Sequence, residues 1–324
     1  MSTLNTNTLD LSGTWTALIS PFRDGRIDEL ALRAIVEVQI VGGVSGLVDC
    51  GATAETPTLS NDEVHCVIEI VISQTAGRVQ VMVGTGTNDT ASTLTRTLQA
   101  AEAGASAALI VMPYHNRPTQ EGLYQHIRHI AERCELPIVL YNVPGRTGSD
   151  LLPSTIARLG QLPNVVGIKE ASGSLDRASE IIRLTEPEFV VLSGDDSLTL
   201  PIMSVGGRGV ISVVSNIVPR APVALTTAVL RGDYDRARTI HLDLLDLCNA
   251  MFVETNPVPV KTAGEMLGMT TSEIRLPLVS LLPESRERVF RALLACPYTA
   301  NQVVIGEETG WPTMSEPDPV EVAA

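Results

Sequence analysis

The chain has 324 residues and a formal net charge of −14, and 44% of its residues are apolar but only 3% aromatic. The length admits one large domain, since α/β barrels reach ~250 residues as a single unit, and the apolar fraction supplies an aliphatic core. The acidic balance argues against nucleic acid and against an anionic membrane surface as partners.

In chain order, residues 1–13 (MSTLNTNTLDLSG) are polar and lack the charged and apolar regions of a signal peptide, so they stand apart as an N-terminal extension. The first β-rich run is TWTALIS (14–20), followed by a helical pattern at DELALRAIVEVQIV (28–41). GVSGLVDCG (43–51) and RVQVMVGTG (78–86) come next, then a helix at TASTLTRTLQAAEAG (90–104). Five more runs follow: AALIVMPY (107–114), PIVLYNVP (137–144), VVGIKEAS (165–172), FVVLSGDD (189–196) and GVISVVSN (209–216). Each is almost continuously apolar, as strands covered on both faces are. Gly42, Gly77 and Gly104 fall where the intervening helices should stop.

Eight such units by residue 231 predict an α/β fold, a closed (β/α)8 TIM barrel over 14–231. Helical patterns at 233–252, 256–268 and 283–295 predict a C-terminal helical appendage, 232–296. The Pro-rich, acidic stretch 297–324 is expected to be a disordered tail. No apolar run is long enough to span a bilayer. Cys50, Cys66, Cys134, Cys248 and Cys296 show no CxxC spacing, which fits reduced thiols and a cytoplasmic protein.

In a barrel of this kind the strand C-termini carry the chemistry. The sixth run delivers Lys169. It and Lys261 are the only lysines, so the other 21 of the 23 basic residues are arginine. Arginine replaces lysine as a surface charge, but it stays protonated and forms no imine. A lysine retained at the end of a buried strand therefore points to its amine, unless it simply pairs with Glu170. Burial lowers a lysine pKa and frees the amine to attack a ketone. Tyr141, one strand away, can shuttle the protons that imine formation needs, or can be a core tyrosine bonded to backbone. The GATAETPTL turn (51–59) places Gly51 and the Thr53 hydroxyl where a carboxylate would sit, or is a plain strand-to-helix turn. Arg146 suits a second carboxylate, or is a solvated loop residue. Together these residues on one rim describe an enzyme joining or splitting two small acids through an imine. GTGTND (84–89) lacks the lysine and spacing of a nucleotide loop. His126 and His129 are read as a solvated helix face, and no metal is expected.

GATAET, PYHNRPTQEGLYQH, YNVPGRTG, GIKEASG, LSGDD and GVISV occur in this order on these strands. With them, the chain from about residue 14 to 294 resembles the dihydrodipicolinate synthase/N-acetylneuraminate lyase family of class I pyruvate-dependent aldolases, most closely its synthase branch. The resemblance implies that Lys169 forms an imine with pyruvate and that Tyr141 donates and accepts protons. It implies that Thr53 holds the pyruvate carboxylate, that the Ile211 carbonyl faces pyruvate, and that Arg146 anchors the aldehyde substrate's carboxylate. The implied reaction condenses pyruvate with L-aspartate 4-semialdehyde to 4-hydroxy-tetrahydrodipicolinate in the diaminopimelate/lysine pathway. Neither cofactor nor metal takes part beyond the covalent imine on Lys169, and the implied assembly is a homotetramer.

Two positions depart from the family pattern. Ala52 stands where a relay threonine is usual, and His115 replaces the tyrosine that reaches into a partner subunit's site. A rebuilt relay through His115 and a water is one reading. A feedback site for lysine is also eroded: Asn88 and Tyr114 match, whereas Asn61, Val64 and Ser92 replace its histidines and glutamate. Two alternatives stay open. One is a related aldolase or dehydratase acting on a 2-keto sugar acid or hydroxy-oxoglutarate. The other is a non-catalytic keto-acid-binding paralogue.

Overall fold

The computed structural model describes residues 9–299 and, beyond them, the backbone of two paired two-residue strands, Val304–Ile305 and Pro312–Thr313. The rest of the expected tail, and residues 1–8 of the extension, lie outside the described residues.

Eight parallel strands close into a barrel. They are β1 (Gly13–Ala17), β2 (Gly46–Asp49), β3 (Gln80–Gly84), β4 (Ala107–Val111), β5 (Ile138–Asn142), β6 (Val165–Glu170), β7 (Val190–Ser193) and β8 (Gly209–Ser212). Each pairs with its neighbours in sequence, and β1 meets β8 in the register Gly13 with Gly209 and Trp15 with Ile211. The outer helices are α1 (Glu29–Gly42), α2 (Asn61–Thr75), α3 (Thr90–Glu102), α4 (Gln120–Ala131), α5 (Pro153–Leu159), α6 (Leu175–Leu184), α7 (Thr199–Ser204) and α8 (Arg220–Leu230). Local chemistry starts several of them. Asp28, Asp89, Thr119 and Ser174 each accept a hydrogen bond from a first-turn amide, and Ser60 with Glu63 forms a reciprocal capping box. As expected, the first helix runs to Gly42, while Gly77 and Gly104 follow the ends of α2 and α3 with positive φ.

Alternation along each strand separates two apolar bodies. Outward side chains such as Leu47, Val81, Ile110, Leu140 and Ile168 pack beneath the helices. Inward ones fill the barrel, with Trp15, Met82, Ala107, Val139 and Leu192 closing its floor. Gly46 makes room for the indole, because a Cβ there would lie 2.4 Å from the Trp15 ring. The last inward positions hold Ala17, Val48, Leu109, Tyr141 and Lys169, so the filled barrel opens into a cavity at the carboxyl ends of its strands.

Among the described residues, three further helices follow the barrel: α9 (Tyr234–Ala250), α10 (Val258–Met266) and α11 (Pro283–Ala295). α9 packs on α8, while α10 and α11 pack together. The segment entering α10 reaches the strand ends, and Phe252 and Asn256 line the cavity.

Candidate active site

The cavity has a volume of about 180 Å³, and its walls include Ala52, Thr53, Tyr141, Arg146 and Lys169. Five of the seven singled-out positions therefore share one space. Lys169 and Tyr141 are register partners on β6 and β5, and Lys169 Nζ stands 4.4 Å from the centroid of the Tyr141 ring. The ammonium form of Lys169 is poorly solvated there. Burial lowers its pKa to about 8, Arg146 pushes the same way, and Asp196 opposes both. Burial raises the Tyr141 pKa, so the phenol keeps its proton at neutral pH. Glu170 is not the partner of Lys169. Strand alternation turns it to the other face, where it accepts from Ser172 N at 2.7 Å and Asn142 Nδ2 at 3.2 Å.

After β2 the chain turns through a short 3₁₀ segment, Ala52–Ala54, which places the Thr53 side chain against the cavity. Arg146 sits on a single helical turn, Pro144–Thr147, closed by Gly148 at φ 70. Ile211 is wholly buried among the inward side chains of the barrel, two residues before Val213, which lines the cavity. His115 is elsewhere. It is exposed on the loop after β4, at φ 68, with its amide donating to Thr147 O, and it does not line this chain's cavity.

Two groups that carry no assignment from sequence matter here. Asp196, a buried carboxylate whose charge raises the Lys169 pKa, accepts from Val213 N at 2.9 Å and Val214 N at 3.1 Å, and so fixes the segment after β8. The LSGDD stretch was visible, but nothing in it indicated which amides its second aspartate would meet. Asn256 lies 203 residues from Thr53, yet its Nδ2 donates to the Thr53 hydroxyl at 3.0 Å. Its main-chain carbonyl also accepts from Arg146 Nη1 and Nη2 at 3.4 Å. Only NPVPVK, read as a helix, marked the place. The second lysine is accounted for structurally: Lys261 Nζ pairs with Glu55 at 2.6 Å and lies 4.1 Å from the Phe22 ring, fully buried.

One expectation needs correction. His126 is not on a solvated face: it is 6% exposed, with Nδ1 and the Thr90 hydroxyl 2.9 Å apart, and burial lowers its pKa to about 4. The helix α4 turns His129 outward and His126 inward, although the two are only three residues apart. The GTGTND loop is structural. A Cβ at Gly86 would lie 2.4 Å from Val111 N, and Asp89 caps α3. Among the described residues no group of three or more His, Cys, Asp or Glu is placed to hold a metal, and no helix is long and apolar enough to cross a membrane. The five cysteines are free thiols.

The model of the dihydrodipicolinate synthetase family matches residues 10–296. The 4-hydroxy-tetrahydrodipicolinate synthase of Thermomicrobium roseum is 52% identical over 291 residues, 90% of this chain and 96% of that one. The enzyme of the same name from Pelobacter propionicus is 51% identical over 85% of this chain and 94% of its own. The solved 4-hydroxy-tetrahydrodipicolinate synthase of Methylacidiphilum fumariolicum superposes with a TM-score of 0.88 at 44% identity, covering 89% of this chain and 96% of that one. The barrel and these likenesses define a (β/α)8 lyase of the pyruvate-dependent aldolase type. Within that class, the chain belongs to the dihydrodipicolinate synthetase family.

Proposed function

We propose that the protein condenses pyruvate with L-aspartate 4-semialdehyde to 4-hydroxy-tetrahydrodipicolinate, through an imine on Lys169. The observation that carries this is a desolvated lysine amine, its pKa lowered to about 8, in register with a half-buried tyrosine in a cavity of small-acid size. The neutral Lys169 amine adds to the pyruvate ketone, and the carbinolamine then expels its oxygen as water. Tyr141 passes the proton that this departure requires. Loss of a C3 proton converts the imine to an enamine, whose carbon attacks the aldehyde, and the aldehyde oxygen takes up a proton. Water, or the substrate's own amine, then displaces the lysine and restores its free amine. No cofactor or metal enters these steps.

In this reading Thr53 holds the pyruvate carboxylate, the Ile211 carbonyl faces pyruvate, and Arg146 takes the aldehyde's carboxylate through its paired N–H groups. Ala52 lacks the hydroxyl that would continue the relay beyond Tyr141. The exposed His115 serves a neighbouring subunit of a homotetramer, with a water at Ala52 completing the path. The protein works in the cytoplasm, in the diaminopimelate/lysine pathway. Asn61, Val64 and Ser92 leave inhibition by lysine weak or absent, and a clear inhibition curve at millimolar lysine would sink that part.

Borohydride reduction in the presence of pyruvate, followed by peptide mass mapping, tests the chemistry. A reduced three-carbon adduct on Lys169 is expected. No adduct, or one on Lys261, overturns the imine. Turnover with L-aspartate 4-semialdehyde tests the second substrate: trapping without that turnover would point to another aldehyde, such as one derived from a keto sugar acid.

A further inference from the structure

The C-terminal helices pack outside the barrel, but the segment leading into α10 and the first turn of α10 grip the turn after β2 at two points. Asn256 donates to the Thr53 hydroxyl at 3.0 Å, and Lys261 pairs with Glu55 at 2.6 Å. Glu55 holds that turn in the left-handed region, at φ 55, a conformation unfavourable to a residue with a Cβ. Its second oxygen accepts from Arg275 N at 3.1 Å, so the carboxylate is tied on both sides.

The direction of the Asn256–Thr53 bond has a chemical consequence. A hydroxyl oxygen that accepts from an amide still has its own hydrogen to donate. With Asn256 Nδ2 occupying one side, that hydrogen is left for an acceptor elsewhere, and Thr53 borders the cavity. The Asn256 carbonyl meanwhile tethers Arg146, so one residue touches both groups assigned to carboxylates.

We propose that Asn256 is a positioning residue of the keto-acid site: its side-chain amide sets the Thr53 hydroxyl as a donor toward the substrate carboxylate, and Lys261 with Glu55 holds the turn in place for that bond. The inference rests on the assignment of pyruvate to this cavity.

Asn256→Asp is the decisive variant. It keeps the shape but replaces the amide donor by a carboxylate that accepts the Thr53 hydrogen. The pyruvate KM for adduct formation should rise about ten- to a hundredfold, the worth of a hydrogen bond to a charged group. The new carboxylate favours the Lys169 ammonium, so the pH midpoint should rise. Compared on the alkaline plateau above it, the trapping rate at saturating pyruvate and the thermal midpoint should stay near those of the parent, which general loosening of the turn would not allow. In a Thr53→Val background the same substitution should raise KM by clearly less than in the parent, because the hydroxyl it acts through is gone. If Asn256→Asp does not fold, Asn256→Ala with the same Thr53→Val cycle gives the equivalent comparison.

An unchanged pyruvate KM, additive effects in the cycle, or a loss confined to the saturated rate would each overturn the proposal. A parent protein that forms no pyruvate adduct at all would instead overturn the assignment of the substrate, and this inference would fall with it.

Discussion

Lys169 and Lys261 are the same side chain in two physical states. Lys261 is held beside a carboxylate and an aromatic ring, with nowhere to react. Lys169 faces a cavity, with a lowered pKa and a tyrosine alongside. Because only the neutral amine attacks a ketone, the adduct-forming rate should rise with pH, with a midpoint near the pKa of about 8, and level off above it. A rate independent of pH between 7 and 9 would refute that assignment. Lys169→Arg should abolish the adduct while leaving the protein folded.

His126 makes a prediction of opposite practical sense. Its pKa is about 6.5 in the unfolded chain and about 4 in the fold, so between those values the unfolded state binds more protons. Stability therefore falls as pH drops through that window, by a total of about 3 kcal/mol at 1.4 kcal/mol per unit. Denaturant midpoints of the parent should decline from pH 6.5 to 4, and His126→Phe should decline less. At this scale the placement of Lys169 and Tyr141 was legible, because strand ends of a barrel face one cavity and both residues end such strands. It was not legible for Asn256 and Asp196, whose roles depend on which backbone and hydroxyl groups meet them after the chain has returned from a distant segment.

The elements themselves followed from patterning. Seven of the eight apolar runs contain their barrel strand whole, and TWTALIS holds all of β1 but Gly13, since continuous apolar sequence suits a strand buried on both faces. The runs overshoot their strands for a physical reason. In 43–51 the strand ends at Asp49, and Cys50, still apolar and buried, has turned to φ 51 to start the cavity-lining turn. The inward side of α4 was missed because a lone histidine on a helix carries no sign of which way its neighbours turn it.

The grip of α10 on the β2 turn is the element-scale test. Lys261→Met strands the buried Glu55 carboxylate and should destabilise by about 3–5 kcal/mol. Adding Glu55→Gln removes the stranded charge and should recover part of that loss. Chemical denaturation of the two variants distinguishes this from a pair of independent surface effects, which would simply add.

For the whole molecule, the barrel supplies the frame and the following helices supply part of the site, so a protein ending at the last barrel helix would have its lysine and tyrosine but no Asn256. The loop before α11 leaves Leu276, Val279 and Leu282 at 78%, 62% and 57% exposure, an apolar stretch of the kind that subunit contacts bury, and the proposed homotetramer predicts that it is covered. Sedimentation should find an assembly larger than one chain, and Leu276→Asp with Val279→Asp should shift it toward smaller species. A single-chain species at micromolar concentration would refute the assembly.

The bias toward arginine has a consequence for handling the protein. With one lysine 6% exposed inside the cavity and the other wholly buried, the folded exterior offers no lysine amine. Acylating reagents, sugars that glycate, and amine-directed crosslinkers would find little beyond the chain's α-amine. A label that does reach a lysine in the native protein would report on the mouth of the barrel, and occupancy of that cavity could be followed by protection from a common amine reagent.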